Sequence, residues 1–202
     1  MGRRIFLIFV IAFVVNGFWC NTFAQSGRLN GHGYVDLGLP SGTKWATCNV
    51  GANYPREYGN YYAWGETYPK NFYGYNNYTY YYDPVILPAN ADVAAVNWGH
   101  GWRMPTENDF RELLDECEWI WMPSIGYKVV GPNNNSILLP AAGYINGDEL
   151  YYGDEQGFYL SGSIYSEDYN YARYLNFYPQ NYYFYVDIHD RYYGFPVRPV
   201  CK

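Results

Sequence analysis

Few segments of this sequence have apolar residues at the spacing of a helix, and this limits the possible folds more than any other feature. One segment, residues 105–117, has the spacing of an amphipathic helix. Its apolar residues recur at i, i+3, i+4 and i+7, namely Phe110, Leu113, Leu114 and Cys117. Thr106 and Asp109 can cap its start reciprocally. We therefore predict one well-defined helix in a chain that otherwise folds as strands and loops.

The rest of the chain consists of short apolar runs separated by turn residues. A shorter helix is predicted over residues 89–99, with Gly99 as its stop. Residues 33–51 are expected to open the domain as strands, residues 135–145 to form an apolar central strand, and residues 146–148 to form a turn. Two neighbouring helices among many short strands predict a strand-rich α+β fold.

The C-terminal tail alternates between apolar and polar residues. Phe184, Val186 and Ile188 alternate with Tyr183, Tyr185, Asp187 and His189. This period of two predicts a strand with one apolar face and one polar aromatic face that points outward. Beyond it, Pro196 and Pro199 lack a backbone donor, which places the closing run at a sheet edge or beside a bulge.

The N-terminus has the features of an export signal. Arg3 and Arg4 precede an apolar run over residues 5–15, and small residues follow at 22–24. The run is shorter than the roughly 20 residues that span a bilayer. We predict a signal peptide over residues 1–24 and a single domain over residues 25–202, located outside the cell or in its envelope, with membrane association only through the leader.

Charge and residue types argue against several classes of function. Beyond the leader, 11 basic residues stand against 19 acidic ones, whereas phosphate neutralisation requires clustered Lys and Arg, so nucleic acid is not an expected partner. His32, His100 and His189 are scattered, without the spacing of a nucleophilic triad or a metal site. No catalytic residue, metal or cofactor is predicted.

Five segments in a fixed order resemble one known family. They are YVDLGLPSGTKWATCNVGA, YGNYYAWGET, NWGHGWRMPTENDFRELLDECEW, NSILLPAAGY and YYGFPVRPVC. Together they resemble the Fibrobacter succinogenes major paralogous domain family, found in exported proteins of Bacteroidota, over about residues 34–201. The resemblance implies a C-type lectin-like fold, in which two helices flank a twisted antiparallel sheet with long loops and the terminal segments pair.

The same fold occurs in the formylglycine-generating enzymes, which are distant kin. Those enzymes bind copper through two neighbouring cysteines in the C-terminal part, whereas Cys201 is the sole cysteine of the last eighty residues here. Kinship of fold does not carry activity. We therefore expect no oxidase chemistry, and we expect the protein not to be an enzyme.

Three cysteines lie beyond the leader: Cys48, Cys117 and Cys201. In an oxidising compartment an odd number permits one disulfide and leaves one thiol. A bridge between Cys117 and Cys201 is predicted, because the end of a helix packed on the sheet can meet a closing strand.

Tyrosine is the most unusual component of the sequence. Of 27 tyrosines, eleven lie in residues 54–82, the first tyrosine zone, and thirteen in residues 151–193, the second tyrosine zone. A single core cannot absorb so many phenols, so many must keep their oxygen in water. The predicted contact residues are Tyr169, Tyr171, Tyr174, Asn176, Tyr178, Asn181, Tyr183, Tyr185, Asp187 and His189.

Exposed tyrosine mixed with Asn, Asp and Ser is typical of binding surfaces, because a phenol gives a rigid contact with a polar tip. We predict an exported, non-catalytic binding domain that recognises a glycan or a protein surface through the tail. One alternative is a structural envelope or assembly protein whose tyrosines stiffen the sheet. Another is a surface binder diversified by a retroelement, since mutation of adenines turns Asn codons into Tyr, Asp, His or Ser.

Overall fold

The computed structural model describes residues 26–179 and 184–202, and it has an α+β architecture rich in antiparallel strands. The predicted signal peptide lies outside the described residues, as do Asn181 and Tyr183 of the predicted contact set. In the part of the chain that is described, no helix has the length and apolar character needed to cross a bilayer.

The predicted amphipathic helix is confirmed as α2, Glu107–Glu116. The hydroxyl of Thr106 accepts from the amide of Asp109 at 3.3 Å, and the carboxylate of Asp109 accepts from the amide of Thr106 at 2.7 Å. This reciprocal pair fixes the first turn, as the sequence indicates.

The shorter helix is confirmed as α1, Val93–Trp98, but it begins four residues later than the sequence pattern suggests. Asp92 sets the start, because its carboxylate accepts from the amides of Ala94 and Ala95. Gly99 ends the helix with a φ of 85°, a region that favours glycine. A short 3₁₀ helix covers Tyr75–Asn77.

The strands are short. They are β1 (Ser26–Leu29), β2 (His32–Asp36), β3 (Lys44–Ala46), β4 (Tyr61–Tyr62), β5 (Glu118–Met122), β6 (Gly126–Val130), β7 (Ser136–Pro140), β8 (Tyr144–Asn146), β9 (Glu149–Tyr151), β10 (Gly157–Ile164), β11 (Tyr171–Phe177), β12 (Phe184–Asp190), β13 (Phe195–Pro196) and β14 (Val200–Cys201). Among the described residues they pair in the orders β1-β2-β3-β14, β10-β11-β12, β13-β4, β5-β6-β7 and β8-β9. All of these pairings are antiparallel.

Pairing of the two ends of the domain is confirmed, because β14 pairs with β3 and lies at the edge of its sheet. The turn predicted at residues 146–148 joins β8 to β9, and Gly147 supplies the positive φ of 67° that this tight connection requires. The prediction of a central strand over residues 135–145 is wrong. Those residues divide into β7, an edge strand, and β8, and β7 is apolar because Ile137 and Leu139 enter a core.

Two hydrophobic cores lie on opposite faces of the β10–β12 sheet. On one face Phe158, Leu160 and Tyr174 join α1 in the first core. On the other face Tyr159, Leu175 and Phe177 join α2 in the second core. Successive side chains of β10 and β11 therefore point into alternate cores, and both strands are covered on both faces.

The predicted disulfide between Cys117 and Cys201 is wrong. Cys48, Cys117 and Cys201 are all free thiols. Cys201 lies in the first core, whereas Cys117 packs against the second core. The sheet separates the two sulfurs, so the end of α2 does not meet the side chain of the closing strand.

Candidate ligand-binding cleft

Two residues of the predicted contact set belong to the interior. Tyr174 is 4 % exposed and Asn176 is 1 % exposed. Both lie on β11, which is the middle strand of its sheet, and Tyr174 stacks on Phe158 and Phe195 in the first core. The prediction that they contact a ligand is wrong, because a middle strand covered on both faces has no outward side.

Tyr178, Tyr185 and Asp187 are half-buried and bond to neighbours of the same sheet. The hydroxyls of Tyr178 and Tyr185 lie 3.3 Å apart, and the hydroxyl of Tyr174 donates to Asp187 at 3.3 Å. His189 is also half-buried, covered by the rings of Tyr144 and Tyr193. The face of β12 predicted to point outward is therefore partly covered, at Tyr185 and Asp187 by its own sheet and at His189 by Tyr144 of β8.

Tyr169 and Tyr171, the remaining members of the set, line a cleft of about 710 Å³. We call it the tyrosine cleft. It is lined by Tyr75, Tyr78, Tyr81, Asp83, Glu167, Asp168, Tyr169, Asn170, Tyr171, Asp190, Arg191 and Tyr192. The lining joins the loop that follows the 3₁₀ helix to the β10–β11 loop and to the end of β12, so it combines both tyrosine zones.

Arg191 holds the two walls of the cleft together. Its side chain is 6 % exposed, and its Nε donates to the hydroxyl of Tyr78 at 2.9 Å. One terminal nitrogen donates to Asp83 and to the carbonyl of Tyr169, and the other donates to the carbonyls of residues 80 and 82. All five N–H groups of the guanidinium are therefore used.

Packing reinforces this arrangement. The guanidinium of Arg191 lies 4.7 Å from the ring centre of Trp64 and 5.3 Å from that of Tyr78. The hydroxyl of Tyr78 in turn donates to the carbonyl of Trp64 at 2.8 Å. Both walls of the cleft are therefore anchored on one buried cation and its aromatic neighbours, which makes the cleft a preformed feature.

Three phenol rings of the cleft are largely open to solvent. Tyr75 is 72 % exposed, Tyr81 is 70 % exposed and Tyr169 is 52 % exposed. Within the described residues, the hydroxyls of Tyr75 and Tyr169 have no hydrogen-bond partner in the protein, whereas that of Tyr81 donates to the carbonyl of Tyr78. These rings therefore keep aromatic surface open to solvent, where a ligand can contact it.

The polar groups of the cleft are mainly acceptors. Its lining contains the carboxylates of Asp83, Glu167, Asp168 and Asp190, and Arg191 is the one cation among the described lining residues. Burial and the Asp190 carboxylate raise the pKa of Tyr192 to about 12, so this phenol keeps its proton at neutral pH. The cleft is therefore aromatic and acidic.

A second group of tyrosines lies beside the cleft but is occupied by packing. Tyr144 stacks on Tyr151 and on Tyr193, with interplanar angles of 16° and 17°. Tyr193 meets Tyr192 edge-on. Because these rings pack against one another, they stabilise the position of the β8–β9 hairpin beside the wall of the cleft.

Sequence reasoning identified the first tyrosine zone as rich in phenols but proposed no contact in it. Tyr75, Tyr78, Tyr81 and the adjacent Asp83 form one wall of the cleft. Arg191 was missed as well. In the sequence, Arg191 stands between Asp190 and two tyrosines. Its neighbours in sequence do not indicate that its side chain contacts Asp83, more than a hundred positions away.

Among residues 26–179 and 184–202, no group of three or more His, Cys, Asp and Glu side chains is arranged to hold a metal ion. Comparison with protein-family models, with curated proteins and with solved structures found no match.

Proposed function

We propose that this protein is a non-catalytic, exported binding protein that holds a saccharide in the tyrosine cleft. The observation that carries the proposal is the convergence of the exposed rings of Tyr75, Tyr81 and Tyr169 with four carboxylates in one preformed cleft. Its volume of about 710 Å³ lies within the usual range for small-ligand sites, about 300–1,000 Å³.

The chemistry of a saccharide matches these groups. The C–H face of a pyranose is apolar and lies flat on an aromatic ring, while its hydroxyls donate to carboxylates. A rigid phenol supplies such a contact at little cost in conformational entropy. Because Arg191 holds the walls in place, little ordering is needed when the ligand enters.

We further propose that the architecture is a C-type lectin-like fold of the Fibrobacter succinogenes major paralogous domain type. Two short helices on opposite faces of an antiparallel sheet and the pairing of β3 with β14 support this assignment. Such a fold places its variable loops at one end. In this protein those loops correspond to the connection between β4 and α1, which contains Tyr75–Asn77, and to the β10–β11 loop.

The structural alternative has an observation in its favour. The stacked rings of Tyr144, Tyr151 and Tyr193 stabilise the fold without leaving a free face. That role accounts for the tyrosines beside the cleft, but not for the exposed rings of Tyr75, Tyr81 and Tyr169.

Diversification of the tail by a retroelement is limited by the cores. A varied position must tolerate many side chains, and Tyr174 and Asn176 are buried. The exposed β10–β11 loop, residues 165–170, is where variation is compatible with folding.

A glycan array probed with the purified protein tests the proposed function. The expected result is binding to a subset of glycans, and loss of that binding in the double variant Tyr75→Ala, Tyr169→Ala. The matched control is Tyr54→Ala, because Tyr54 is 68 % exposed, close to the value for Tyr75, but does not line the cleft. Glycan binding that survives in the double variant, or an array without any bound glycan, would contradict the proposal.

A further inference from the structure

We infer that the saccharide recognised by the tyrosine cleft carries a positively charged amino group. This inference rests on the proposed function and narrows it to a class of ligand. It follows from the balance of donors and acceptors in the lining, from the positions of the unused carboxylate oxygens, and from a similar arrangement around one of the protein's own ammonium groups.

The cleft offers acceptors in excess of donors. All five N–H groups of the Arg191 guanidinium donate to acceptors of the protein itself. The side-chain amide of Asn170 donates to Asp168 at 2.8 Å. The donors that remain are mainly phenol hydroxyls, so the cleft has no free cation with which to receive an acidic ligand.

Two carboxylates keep an oxygen for a ligand. Glu167 uses Oε2 to accept from the hydroxyl of Tyr165, and Asp168 uses Oδ1 to accept from Asn170. Within the described residues, no protein donor is bound to Oε1 of Glu167 or to Oδ2 of Asp168. Both side chains are exposed on the same loop, directly before Tyr169.

A ligand that covers these carboxylates takes water away from them. Neutral hydroxyls compensate only part of that cost, whereas an ammonium group compensates it with charge-assisted hydrogen bonds. The open faces of Tyr75 and Tyr169 also attract a cation, through the negative potential above an aromatic ring. An acidic sugar would meet like charge instead.

The protein already holds one of its own ammonium groups in this way. Nζ of Lys70 lies 2.6 Å from a carboxylate oxygen of Glu66 and 5.6 Å from the ring centre of Tyr73. Glu167, Asp168 and Tyr169 line one cleft and supply the same two kinds of group, a carboxylate and a phenol ring. The difference is that the cleft provides no lysine of its own among its described lining residues.

Isothermal titration with three oligosaccharides of equal length tests the inference. They are a glucosamine oligomer, its fully N-acetylated counterpart and a galacturonic acid oligomer. We expect the glucosamine oligomer to bind at least about tenfold more tightly than the acetylated one, and the acidic oligomer not to bind. The preference should shrink as NaCl is raised, because exposed charges are screened over about 10 Å at 0.1 M salt.

Paired variants locate the effect. Glu167→Gln and Asp168→Asn remove charge but keep an oxygen for the internal bonds, so each should weaken binding of the amine by a larger factor than binding of the acetylated oligomer. Glu149→Gln is the matched control, since Glu149 also accepts from a tyrosine hydroxyl two positions away, that of Tyr151, but lies outside the cleft.

The outcomes separate the two proposals. Equal affinity for the amine and its acetylated counterpart, with both lost in Tyr169→Ala, would overturn the ammonium inference and leave saccharide binding in place. Failure of every saccharide to bind, on the array and in titration, would overturn both. Binding of a lysine-rich peptide without binding of any saccharide would likewise overturn both, in favour of a protein ligand.

Discussion

A terminal nitrogen of Arg191 donates to the main-chain carbonyl of Tyr169 at 2.7 Å. The same guanidinium binds Asp83 and the carbonyl of Tyr80 on the opposite wall of the cleft. One buried side chain thus links the two walls, which come from the two tyrosine zones. The main chain at Tyr169 is therefore held in place, although it belongs to a loop.

Arg191→Ala should lower the free energy of unfolding by about 3 kcal/mol, because it leaves several buried acceptors without a donor and removes a cation packed between aromatic rings. Urea unfolding followed by tryptophan fluorescence measures the loss. Arg111→Ala is the control, since its pair with Glu107 is exposed and should contribute less than about 1 kcal/mol. Equal losses in the two variants would show that Arg191 does not organise the walls.

Tyr174 and Tyr169 should respond to truncation in opposite ways. Tyr174→Ala leaves a cavity in the first core and should cost roughly 3–5 kcal/mol of stability. Tyr169→Ala removes an exposed ring and should change stability by no more than about 0.5 kcal/mol. Thermal unfolding of both variants distinguishes core from surface. A stable Tyr174→Ala protein would restore Tyr174 to the predicted contact surface.

The parts of the fold that depend on neighbours in sequence were predictable. The capping box of Thr106 and Asp109, the stop at Gly99 and the turn at Gly147 each rest on residues within four positions of one another. The sheet-rich α+β class follows from the same local patterns, because few segments have helical spacing. The C-type lectin-like fold remains a proposal.

The parts that depend on what covers a strand were not predictable. Alternation assigned a polar face to β12, but it did not show that the β8–β9 hairpin lies over His189. Nor did it show that β11 is a middle strand, which buries Tyr174. The cleft itself needs Arg191 to reach Asp83, and a pattern with a period of two or 3.6 residues carries no information on that contact.

Protonation of His189 should destabilise the protein in acid. Burial lowers the pKa of this imidazole below its usual value of 6.5, more than the carboxylates of Asp190 and Asp187 raise it. The unfolded chain therefore binds a proton more readily, so stability is complete above pH 6.5 and is lost as the pH falls through the folded-state pKa. Urea unfolding between pH 8 and pH 5 measures this loss.

His189→Gln should weaken that dependence, and His32, whose pKa burial also lowers, should account for part of what remains. His100→Gln serves as the control, because His100 is exposed. The assignment would be wrong if the His189→Gln protein lost stability in acid as steeply as the unmodified one.

The three thiols should differ in reactivity. Burial, with the nearby carboxylates of Glu116 and Glu112, raises the pKa of Cys117 to about 12, and burial also raises the pKa of Cys201. Since the thiolate is the reactive form, Cys48 should be alkylated first by iodoacetamide at pH 8. Peptide mass mapping gives the order. Rapid labelling of Cys117, or a bridge between Cys117 and Cys201, would contradict the arrangement of the two cores.

Calorimetric titration of a saccharide selected on the array, into the unmodified protein, Tyr169→Ala and Tyr54→Ala, tests most directly whether the tyrosine cleft is the recognition site. Loss of a central aromatic contact typically costs about 1.4 kcal/mol or more, which is at least tenfold in affinity. We predict that loss for Tyr169→Ala and unchanged affinity for Tyr54→Ala. Affinity that is the same in all three proteins, or that falls only in Tyr54→Ala, would place recognition elsewhere on the surface.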